Sequence, residues 1–117
     1  MVEILEKVKR DKIQFVQLQF TDILGVIKSL TIPVEHLGNS LKDGTWFDGS
    51  SIEGFTRIQE SDQFLIPDPK TYAVMPWLKD TARFICDVFT ADGDPFEGDP
   101  RYILKRAVKE ANDMGFE

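Results

Sequence analysis

The sequence predicts an α+β domain: a mixed sheet with helices packed on one face. Three observations carry that expectation. Several short stretches alternate apolar and polar residues with period two, the spacing of a half-buried strand. Others place apolar residues three and four apart, the spacing of one helical face. The two kinds do not succeed one another as repeating strand–helix–strand units, so a purely parallel sheet is not expected.

In chain order, residues 2–11 set Ile4, Leu5 and Val8 on one helical face among charges, which predicts a short amphipathic helix. From Ile13 to Phe20 the period switches to two, with Val16, Leu18 and Phe20 on one side. Thr21-Asp22-Ile23-Leu24-Gly25 supplies turn residues and a glycine able to take positive φ, and Val26–Ile32 resumes the alternation, so a hairpin is expected. Pro33 opens a segment with Val34, Leu37 and Leu41 at helical spacing, closed by Gly44. Gly38 inside that helix costs about 1 kcal/mol relative to Ala, so the helix needs tertiary support.

Residues 45–62 keep no period and are expected to form a loop. Gln63–Pro69, Thr71–Trp77 and Thr81–Thr90 predict short strands, and Ala91–Gly98 has the composition of a linker. Asp99-Pro100 is an N-cap followed by a first-turn proline, after which Ile103, Ala107, Val108, Ala111 and Met114 line one face up to Gly115. That face is expected to meet a partner absent from this chain.

Composition excludes several classes of function. At 117 residues with 42% hydrophobic content, one domain can bury about two thirds of its unfolded surface. The formal charge of −6 and the lack of a basic cluster beyond Lys7–Lys12 argue against a nucleic-acid partner. No apolar run approaches the roughly 20 residues needed to cross a bilayer, and the acidic Met1-Val2-Glu3 is unlike a signal peptide. A soluble, cytoplasmic protein with no membrane contact is expected. The single cysteine, Cys86, lies in a strand-like run without a neighbouring His or Lys, and reads as a small buried apolar residue.

The segment from Trp46 to Pro69 stands out. Its acids are Asp48, Glu53, Glu60, Asp62 and Asp68 against the one base Arg57, net −4. Trp46, Phe47, Ile52, Phe55, Ile58 and Phe64 are interleaved with them, too many large apolar groups for a disordered stretch. Asp-Gly and Ser-Ser are everyday turn residues, so a packed surface loop is the plain reading. Apolar surroundings would also lower the local dielectric around Asp48, so that it attracts a cation or proton more strongly than a carboxylate in water. No calcium-loop pattern, nucleophile elbow or glycine-rich phosphate loop is present, and His36 falls among apolar positions of a predicted helix, where a structural role is expected.

Phe47-Asp48-Gly49-Ser50-Ser51-Ile52-Glu53-Gly54-Phe55, followed by Glu60-Ser61-Asp62, Pro67-Asp68 and Pro76-Trp77, closely resembles the N-terminal signature of bacterial-type (type I) glutamine synthetase. Phe20–Gly25, Cys86-Asp87-Val88 and Gly98-Asp99-Pro100-Arg101 extend the likeness over nearly the whole chain. The resemblance implies a β-grasp domain, a ubiquitin-like roll, over residues 1–98, with residues 99–117 forming the first helix of a catalytic domain that this chain lacks.

It implies an ATP-dependent ligation of ammonia to L-glutamate giving L-glutamine. ATP and Mg2+ or Mn2+ would be held by the missing domain and none by this chain, which would be inactive alone. The expected assembly is a homo-oligomer, a dodecamer of two hexameric rings. Asp48 matches the aspartate that acts on ammonium in a neighbouring subunit's site, and Ser51 matches a substrate-site hydroxyl beside it. Phe55 and Asp62 match positions at the seam between subunits. Arg57 resembles an arginine of the branch regulated by glutamine. The alternative reading is a free-standing β-grasp interaction module whose acidic loop binds a basic partner.

Overall fold

Ile4 and Val8, four apart, both turn inward from helix α1 (Val2–Arg10), as their spacing predicts. The structure, a computed structural model, describes residues 2–22, 24–48 and 62–116. After α1 the chain runs through β1 (Phe15–Thr21) and β2 (Ile27–Pro33), an antiparallel hairpin with Phe15 opposite Pro33 and Thr21 opposite Ile27. Asp22 shapes its turn. The buried carboxylate accepts from the Leu24 N–H at 3.0 Å and the Val26 N–H at 2.8 Å, and Gly25 supplies φ of 84°.

A 3₁₀ turn (Val34–His36) leads into α2 (Leu37–Asp43), which buries Leu37 and Ser40. His36 is exposed at the end of this 3₁₀ turn and not buried on an apolar helix face as expected. Gly44 ends α2 with φ of 82°, and a Cβ there would stand 2.6 Å from the Phe64 ring and 3.1 Å from the Leu65 carbonyl oxygen. The position needs glycine both for conformation and for room.

Next come β3 (Thr45–Asp48), β4 (Asp62–Pro67), a 3₁₀ turn (Pro69–Thr71), the two-residue β5 (Ala73–Val74), β6 (Thr81–Thr90) and α3 (Pro100–Asp113). The strands form one sheet in the order β2-β1-β6-β4-β3, with β5 also on β6. The sheet is mixed because β1 and β6 run parallel, Val16 beside Ala82 and Leu18 beside Phe84, whereas β4 and β5 pair with β6 antiparallel. Alternation then puts Val16, Leu18, Phe20, Ala82, Phe84, Cys86 and Val88 on one face, where they join Ile4, Val8, Leu37 and Leu65 in the core. Burial pushes the Cys86 thiol well up, which suits packing and not nucleophilic chemistry. Among the described residues, no helix is long and apolar enough to cross a membrane.

Three expectations are corrected. Residues 45–48 are a strand: Phe47 packs inward while Trp46 and Asp48 stay out, a period too short to detect by itself. The strand expected over Thr71–Trp77 shrinks to Ala73–Val74, because the Asp68 side chain accepts from the Lys70 N–H and Pro69 starts a 3₁₀ turn instead. Much of the linker-like stretch is pinned: the Phe96 N–H bonds the Val88 carbonyl at 2.9 Å, Pro95 bridges Phe89, and Phe96 packs on the core. As expected for a face that meets no partner within this chain, α3 buries none of its residues; Ile103, Val108 and Met114 are all exposed, and its ties run to Asp87 on the side of the sheet away from α1 and α2.

Candidate functional site

The two carboxylates singled out in the sequence meet across the edge of the sheet. In the β3–β4 register Trp46 lies opposite Phe64 and Asp48 opposite Asp62. Alternate residues of a strand leave opposite faces, so Trp46 and Asp48 project away from Phe47, whose ring sits 5.0 Å from that of Phe20 on the core side. Trp46, Phe64 and Phe89 make a row across β3, β4 and β6, with ring centroids 5.2 and 5.9 Å apart. The carboxylate pair stands at the end of this row.

Like charges directly opposite one another weaken strand pairing, and a cation held between them removes that cost. A groove of about 590 Å³ begins at Asp62 and is bordered by Asp92, Asp94 and Glu97, which extend the negative field. Gln63, 1% exposed, also borders it, and its Oε1 has no hydrogen-bond partner among the described residues. Negative charge is therefore concentrated at this end of the sheet. Among the described residues no three His, Cys, Asp or Glu side chains come together in a group that could hold a metal ion.

The shelter expected around Asp48 is not provided by the described residues of this chain. Asp48 is exposed and Trp46 is 60% exposed, because β3 is the outermost strand. Ser51, Phe55 and Arg57 lie outside the described residues. Asp92, Asp94 and Glu97 were missed in the sequence, where they read as linker; the signal for them is that Thr81–Thr90 and Gln63–Pro69, if paired, bring the stretch after Thr90 beside Asp62.

The sequence model of the family described as "Glutamine synthetase, beta-Grasp domain" matches residues 12–91. This chain belongs to that family. Glutamine synthetase of Methanosarcina mazei is 53% identical over 117 residues, covering 97% of this chain and 26% of its own length. That of Staphylococcus aureus is 51% identical over 111 residues, with 92% and 25% covered. The chain thus spans about a quarter of the length of these glutamine synthetases.

Solved structures agree. A GmaS–ADP complex superposes with TM-score 0.89 at 26% identity over 97% of this chain and 26% of that one. Glutamine synthetase of Plasmodium falciparum, from electron cryomicroscopy, gives 0.86 at 25% identity over 97% and 23%. The parallel β1–β6 pair flanked by antiparallel strands, with α1 and α2 on one face, is therefore the β-grasp fold of the glutamine synthetase N-terminal domain.

Proposed function

We propose that this chain is the N-terminal part of a glutamine synthetase, residues 1–98 forming the β-grasp domain and residues 99–117 starting a catalytic domain. The whole protein joins ammonia to glutamate in the cytoplasm, within a homo-oligomer of two stacked hexameric rings. ATP and Mg2+ or Mn2+ belong to the remainder of the protein. What this chain supplies is Asp48. At neutral pH ammonia arrives mainly as ammonium, so the site must hold a cation and then take a proton from it; a carboxylate does both.

The observation that carries this reading is the Asp48–Asp62 pair on an exposed edge strand, at the end of an aromatic row whose Trp46 is exposed. In the proposed assembly a neighbouring subunit's catalytic domain covers this edge. It would desolvate Asp48, strengthening its hold on ammonium, and seal the rings of Trp46 and Phe64 against water. Ser51, beside Asp48 in sequence, supplies a hydroxyl to the same substrate site, Phe55 and Asp62 line the seam, and Arg57 receives the carboxylate of a regulator.

The test is Asp48→Ala in the full-length enzyme. Loss of one such electrostatic group is expected to lower turnover at limiting ammonium by about 100-fold or more while the ring still assembles. Near-normal turnover in an intact oligomer would remove Asp48 from the mechanism.

A further inference from the structure

α3 is attached to the sheet by a small set of directional bonds. Along one edge of β6 the pairing with β1 ends at Gln19 opposite Ile85. Beyond it, Val88 is taken over by the segment leading into α3: the Phe96 N–H donates to its carbonyl at 2.9 Å, and its own N–H donates to Asp99 Oδ2 at 3.0 Å. Asp99 is 0% exposed, and its other oxygen, Oδ1, accepts from the Arg101 N–H at 3.1 Å as the cap of α3. One carboxylate thus holds a rung of the sheet and the first turn of the helix.

Arg101 makes the second tie. Its guanidinium donates to Asp68 Oδ2 at 2.8 Å and to the Ile85 carbonyl at 3.3 Å, and stands 3.6 Å from Asp87. Lys105, one turn on, bonds Asp87 at 2.8 Å. Because α3 buries no residue, apolar packing does little to orient it. Its angle is set by a few directional bonds, which constrain geometry far more tightly than non-directional burial does.

We infer that Asp99 and Arg101 are positioning residues: by clamping α3 to Val88 and Asp68 they set where Asp48 stands relative to the rest of the protein. The inference rests on the function proposed for Asp48. The path is short. Val88 is the register partner of Leu65, and Leu65 of Thr45, three residues before Asp48 on β3. A tilt of α3 against β6 is therefore passed through three hydrogen-bonded strands to the Asp48 carboxylate, where a misplacement of about 1 Å can cost 100-fold in rate.

Two measurements test it. In the full-length enzyme, Asp99→Ser keeps a capping oxygen for the helix but is too short to reach Val88 as well. It is expected to raise the KM for ammonium about ten- to a hundredfold, leaving the KM for ATP and the oligomeric state unchanged. An unchanged KM for ammonium, or a uniform loss of all parameters together with assembly, overturns the positioning role. In the same full-length enzyme, the substitution is expected to speed amide exchange at Val88 about tenfold or more with Phe84 unaffected, and an unchanged Val88 rate overturns the clamp itself. Asp48→Ala separates the two ideas: if it leaves ammonium use intact, the reading of Asp48 fails, while the Val88 exchange rate still judges the clamp.

Discussion

On the inner face of the sheet, Leu18, Phe84 and Val88 meet Ile4, Val8 and Leu37 in one continuous apolar cluster, whereas on the outer face α3 is held by Asp99, Arg101, Asp68 and Asp87 and buries nothing of its own. The inner contacts are non-directional and numerous, so they fix that the domain folds more than how its parts are angled. The outer contacts are few and directional. They add modest stability but specify an orientation, and they respond to pH and salt as the inner ones do not.

The largest expected effect breaks the inner face. Phe84, fully buried between β1 and Tyr72, should cost about 3–5 kcal/mol on truncation to Ala, read as a shift of the whole urea transition. If α3 and the sheet were equally dependent on that core, every amide would lose protection together; a residual difference between them would sharpen the contrast.

A pH series comes next. Partial burial raises Asp68, but hydrogen bonds from Arg101 and the Lys70 N–H outweigh it and leave its carboxyl below the ordinary 3.8. Its contribution is present above pH 3.8 and is lost as the pH falls through the lower folded value. Asp99 goes the other way: burial raises it, only partly offset by the Val88 and Arg101 N–H groups. Its contribution is complete below 3.8 and is lost as the pH rises through the higher folded value. Amide protection in the first turn of α3 is therefore expected to peak near pH 3.8 and to fall on either side of it; Asp68→Asn should abolish the fall on the acid side. A flat profile in the native chain would mean that the carboxylates do not govern the joint.

The smallest effect belongs to Lys105, half exposed and paired with Asp87, whose truncation to Ala should cost about 0.2–1 kcal/mol and vanish at high salt. A salt-independent loss would assign its role to the aliphatic stem instead.

Much of this was legible from residue patterns. The periods of α1, β1, β2, β6 and α3 lie within single segments, and their bounds fall within a residue or two of those expected. The Asp48–Asp62 juxtaposition was legible only in part: β3 has four residues, so its alternation becomes visible only once β4 supplies the opposite row. The double duty of Asp99 was not legible. Its capping of Arg101 is a local pattern, but its bond to Val88 depends on where β1 stops pairing with β6, a property of the assembled sheet. For the same reason the stretch from Ala91 to Gly98 looked free.

The parallel pairing of β1 with β6 has a consequence for biosynthesis. β6 lies between β1 and β4, so as the chain leaves the ribosome the N-terminal hairpin has no neighbour to join to the rest of the sheet until residues 81–90 have emerged. Nascent chains stopped short of Thr81 have only α1 and α2 to pack on the row Val16, Leu18 and Phe20, which Ala82, Phe84 and Cys86 later extend into the finished core. That long-range closure should make folding slow for the domain's size and leave the unfinished chain dependent on holding chaperones during translation.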